Sequence, residues 1–131
     1  MEQFDKENLK KAWINSATDD FDTAKSLFTL KRYNGSLFFC HLALEKMLKA
    51  IYIMVNDTYP PLIHKLAKLA IDSKVELTDK QIDDLNEITT FNVEARYDIF
   101  KEKLYKKANE SFTIRYLQTT TELFTYFKTK L

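Results

Sequence analysis

Apolar residues return at steps of three and four along most of this 131-residue chain, the period of a helix with one face turned to a core. Leu9, Trp13, Ala17, Ala24 and Leu27 form one such stripe, with Asp20 at its middle, and predict a first helix over about residues 6–30. Arg32 to Gly35 reads as a turn. A second helix over about residues 35–55 is apolar nearly all round, with Leu37, Leu44, Leu48, Ile51 and Val55 on one side and Ala43, Ala50 and Met54 on much of the rest. Such a helix belongs at the centre of a bundle. Asn56, Asp57, Pro60 and Pro61 predict a loop, followed by a short helix over about residues 62–71. Thr78 and Gln81 have capping-box spacing and open a fourth helix, with Ile82, Leu85 and Ile88 inward. Residues 91–103 lose the pattern and read as an irregular loop. The last helix is expected over about residues 104–130, with Ala108, Phe112, Tyr116, Thr119, Leu123 and Phe127 inward. The expectation is all-α: an up-and-down bundle of about five helices forming one domain over residues 1–131.

Three polar groups break the second helix. His41, Glu45 and Lys49 form a row at successive steps of four, and burying such groups unpaired costs free energy. Two readings stand open. Glu45 pairs with Lys49 along the helix while a core hydrogen bond holds His41, or the row lines a cleft or a dimer interface. Asp20 raises the same question on the first helix, where it needs a cation or donors. Lys49, Arg96 and Tyr97 are its candidate partners, and a structural ion pair is the first reading. His64, after the proline pair, is read as structural.

With one glycine and two prolines, the chain shows no repeat, linker or phosphate-binding glycine loop. Cys40 is the only cysteine, so an internal disulfide is impossible and a reducing compartment is expected. The charged start and the lack of a long apolar run lead us to expect a cytoplasmic protein without membrane spans. Two histidines and one cysteine, none at zinc-motif spacing, predict no metal site, and no cofactor is expected. The net charge of +1 argues for no general attraction to nucleic acid, although residues 96–131 carry eight bases against four acids. That excess reads first as a solvated helix face and second as a phosphate-attracting patch.

Four segments together resemble the HEPN family, helical domains named for higher eukaryotes and prokaryotes nucleotide-binding. Trp13, Ala17, Asp20 and Ala24 resemble its first-helix pattern of a tryptophan followed by spaced alanines and an acid. The run from Phe38 to Ala50, containing Ala43, Glu45, Lys46, Leu48 and Lys49, is similar to its Ala-x-Glu-Lys-x-Leu-Lys-Ala signature. His64, Leu66 and Leu69 resemble its His-x-Leu-x-x-Leu, and Ala95, Arg96 and Tyr97 its Ala-Arg-Tyr segment. The resemblance covers nearly the whole chain. It implies a helical bundle, usually a homodimer, often paired with a small nucleotidyltransferase in toxin–antitoxin-like systems. Active members are implied to be metal-independent ribonucleases with an arginine four to six residues before a histidine, the histidine moving a proton while the arginine stabilises phosphate charge.

This sequence departs from that pattern. Its arginines are Arg32, Arg96 and Arg115 and its histidines His41 and His64, and no arginine has a histidine four to six residues later. We therefore expect a non-catalytic binding module that acts as a homodimer with a nucleotidyltransferase-like protein, a nucleotide or RNA. The rivals are a ribonuclease built from Arg96, Tyr97 and His41, and a plain assembly scaffold. The candidate binding or interface residues are Asp20, His41, Glu45, Lys49, Arg96 and Tyr97.

Overall fold

The computed structural model describes residues 5–96 and 98–131, with the side chains of residues 95, 96 and 98–101 outside the description. The described residues form six helices: α1 (Lys6–Thr29), α2 (Tyr33–Asn56), α3 (Leu66–Asp72), α4 (Asp79–Arg96), α5 (Asp98–Lys107) and α6 (Glu110–Lys128). The all-α bundle expected from the periodicity is present, and α2 is its centre, packed against α1, α3, α4 and α6.

α1 begins where the Asp5 carboxylate accepts from Asn8 N, satisfying one orphan amide. Two residues past its end at Thr29, Lys31 takes a left-handed φ of 61°. There Arg32 N bonds Leu27 O and Lys31 N bonds Phe28 O, a Schellman closure with lysine where glycine is usual. α1 and α2 then run close together. The Ser36 hydroxyl, buried, donates to Ala24 O at 2.8 Å. Gly35 allows the approach, because a Cβ there would come within 3.1 Å of Leu27 Cδ1.

Three boundaries differ from the sequence expectation. α3 starts at Leu66 rather than near residue 62, since the stretch before it is held extended: Lys65 has φ −78° and ψ 110°, and Leu66 N donates to the Thr89 hydroxyl of α4. Residues 91–96 and 98–103, expected in an irregular loop, are helical. α4 runs on to Arg96, and α5 occupies the stretch from Asp98 to Lys107. The apolar pattern stops at Phe91 because a later inward position is Glu94, a buried acid. Lys107 at the end of α5 pairs with it at 3.1 Å and also with Glu87 at 3.0 Å, clasping α5 to α4. The last helix begins at Glu110, capped by the Asn109 side chain, which accepts from Phe112 N at 2.8 Å. Within α6, Thr113 and Thr120 face inward, whereas Thr119 is only half-buried.

Aromatic rings join the elements. Phe21 of α1 meets Phe124 of α6 at 4.8 Å between centroids, and Phe91 of α4 meets Phe112 and Tyr116 of α6 edge-on. Such pairs contribute about 0.5–1.5 kcal/mol beyond the area they bury.

Candidate functional site

The row on α2 turns toward the segment that leads into α3. Glu45 is at its middle and almost fully buried. Its Oε2 accepts from Lys49 Nζ at 3.1 Å, one turn along the helix. Its Oε1 accepts from His64 Nδ1 at 2.8 Å. His41, one turn earlier and with no exposed surface, lies with its Nε2 3.0 Å from His64 O and 3.6 Å from Glu45 Oε1. α2 therefore holds His64 by its side chain and by its main chain at once.

This geometry assigns the tautomers. A carbonyl oxygen needs a donor, so His41 carries its proton on Nε2, and its buried Nδ1 is left without a partner. Burial lowers the His41 pKa below its usual value, an effect partly offset by the His64 carbonyl and by Glu45. His41 is thus a neutral donor inside the core at neutral pH. His64 donates an Nδ1–H hydrogen bond to the carboxylate, and its side chain is half-exposed. Lys49 also lies over Trp13 of α1, with Nζ 5.3 Å from the ring centroid, a cation–π contact in place of water.

Asp20 belongs to a separate link. Its carboxylate is 2.7 Å from Lys46 Nζ, which also donates to the Ser16 hydroxyl at 2.7 Å. The expected pairing with Lys49 is therefore corrected: Lys49 is turned to Glu45, while Lys46, at a different angle round the helix, faces α1 and meets Asp20. The Arg96 side chain and Tyr97, the other two named for Asp20, lie outside the described residues.

His41, Glu45 and Lys49 thus come together as the periodicity implied: Glu45 bonds Lys49, and His41 bonds the main-chain carbonyl of His64, in the segment before α3. His64 completes the cluster, although it reads as a separate structural residue in the sequence. The signals for it were the row's own unmet need for partners and the place of His64 in the His-x-Leu-x-x-Leu segment. Among the described residues no group of three or more His, Cys, Asp and Glu side chains is placed to hold a metal ion, and no helix is long and apolar enough to cross a membrane.

Comparison with known proteins gives two matches. A family model for the HEPN domain matches residues 10–130. The fold is similar to the crystal structure of TT1696 from Thermus thermophilus, with a TM-score of 0.79 and 15% sequence identity over 93% of this chain and 98% of that one. No curated protein matches the sequence.

Proposed function

Because this chain belongs to the HEPN domain family, we propose that it is a non-catalytic binding module that forms a homodimer and engages a nucleotidyltransferase-like partner, a nucleotide, or both. The setting is a two-component system of the toxin–antitoxin kind. The burial of His41 carries the non-catalytic part. A general acid or base must reach the proton it moves, and His41 has no exposed surface and commits its Nε2 proton to His64 O. The ribonuclease reading that used His41 with Arg96 and Tyr97 loses its proton carrier.

Exposed apolar side chains support association. Leu62 is 95% exposed, and Tyr59 and Ile71 in the same stretch of chain are more than half exposed. Large exposed apolar side chains are candidates for contact surfaces.

Light scattering of the purified protein, followed by affinity capture from its host, tests the proposal. A dimer that recovers a nucleotidyltransferase-like protein supports it, and a monomer at micromolar concentration that recovers nothing rejects it. RNA cleavage in EDTA that disappears in both His41→Ala and Arg96→Ala proteins would restore the ribonuclease.

A further inference from the structure

From Thr58 to Ile71 the chain holds no Asp or Glu, yet it holds His64, Lys65 and Lys68 and leaves Leu62 and Ile71 exposed. The end of that segment walls an open groove against α4. The groove encloses a cavity of about 510 Å³, lined by Lys65, Ala67, Lys68 and Ile71 on one side and by Asn86 and Thr89 on the other. Ala67 and Ile71 lie one turn apart on α3, and Ile71 is 62% exposed. Thr89 adds no free donor, because its hydroxyl donates to Leu85 O at 2.8 Å while accepting from Leu66 N. An apolar patch is thus left unfilled between two helices.

The polar groups around that patch are mostly donors. Lys65 has no acid partner among the described residues, and the exposed Asn86 side chain has no hydrogen bond among them. The one carboxylate on the lining is Asp72, and Lys68 already holds it at 3.2 Å. Two ammonium groups against one carboxylate leave the groove positive, which favours an anionic visitor.

We infer that this groove docks an acidic segment of a partner protein, with one large apolar side chain seated against Ala67 and Ile71 and carboxylates turned to Lys65, Lys68 and Asn86. An apolar anchor in a pocket, ringed by polar contacts, is the usual build of a binding hot spot. The patch is walled by two helices, and such a concavity is filled by a side chain rather than by a flat bilayer. Two copies of the groove facing each other across a two-fold axis would set lysine against lysine. The inference rests on the partner arm of the proposed function and gives that partner a place and a chemistry.

Selection of a random peptide display library on the full chain tests it, with the selected peptides then titrated by fluorescence anisotropy. Peptides that join a large apolar residue to acidic neighbours are expected. Lys65→Glu combined with Lys68→Glu should weaken them by about tenfold, and Ile71→Asp by about tenfold or more. Replacing the peptide acids by lysine should restore binding to the double variant and abolish it with the parent chain. All three positions are exposed, so both variants should melt as the parent does, and the losses then report contact rather than folding. Three results overturn the inference: no peptide bound at millimolar concentration, selected peptides without acids, or unchanged affinity in both variants. Phosphatidylserine vesicles bound by the parent and not by Ile71→Asp would also reject it, in favour of a bilayer. A dimer split by Ile71→Asp would reject it in favour of a second copy. A chain that captures a nucleotidyltransferase-like partner equally well with Ile71→Asp loses this surface and keeps the functional reading. One that selects acidic peptides through Lys65 and Ile71 but captures no such partner keeps the surface and loses that reading.

Discussion

His64 Nδ1 donates to Glu45 Oε1 across 2.8 Å, joining the extended segment before α3 to a carboxylate buried on α2. The same carboxylate takes the Lys49 ammonium on its other oxygen, and the His64 carbonyl takes the His41 proton one turn away. Both Glu45 oxygens and the His41 Nε2 proton are thereby paired, while the His41 Nδ1 stays buried without a partner.

Glu45 should be the costliest of the four to remove. Glu45→Ala leaves the Lys49 ammonium buried without its carboxylate, and breaking such a pair typically costs about 3–5 kcal/mol. His64→Ala, at a half-exposed ring, should cost about 1 kcal/mol. Glu45→Gln combined with Lys49→Met should recover most of the loss, since no charge is then stranded. Urea unfolding of the three proteins measures this, and equal losses for Glu45→Ala and His64→Ala would contradict it.

His41 should make stability depend on pH. Burial holds its folded pKa below the ordinary 6.5, while the unfolded chain titrates near that ordinary value. Below it the unfolded state binds the extra proton, so the His41 contribution is complete above about pH 6.5 and is lost as pH falls. His41→Ala should destabilise the fold by about 1–3 kcal/mol through the unpaired carbonyl and the cavity. Unfolding free energies of both proteins between about pH 5 and 8 should converge toward the acid end. A constant gap would mean that His41 is not held neutral.

Cys40 should be inert. Burial pushes its thiol up to about 12, against a small opposing effect of the Thr120 hydroxyl, and the thiolate is the reactive form. Iodoacetamide should leave the native protein unlabelled and modify it fully in denaturant. Prompt labelling of the folded protein would mean that this part of the core opens.

Asn109 should matter more than an ordinary position between helices. Its side chain caps α6, so Asn109→Ala is expected to cost about 1 kcal/mol and Asn109→Asp much less. Thermal melts of the two variants give the comparison, and a neutral alanine would show that the cap contributes nothing.

Local pattern made part of this protein legible. The apolar stripe of α1, the apolar surround of α2 and the capping box of Thr78 and Gln81 each depend on residues within a turn or two. Both capping-box bonds are present, Gln81 N to the Thr78 hydroxyl and Thr78 N to Gln81 Oε1. The reading failed where an inward position is polar. Glu94 ended the pattern of α4 early because its stabilising partner, Lys107, is 13 residues further on.

The sequence by itself determined the helical class, the central place of α2, the resemblance that the family match bears out, and the need of His41, Glu45 and Lys49 for partners. Helical periodicity is a short-range property, set by neighbours three and four residues apart. The tertiary structure decided which partners answered. Lys46 rather than Lys49 reached Asp20, because the two lysines leave the helix toward different neighbours. His64, 19 residues from Glu45, reached it only through the path of the intervening loop. That path follows from how α3 docks on α2 and α4, and no local pattern encodes it.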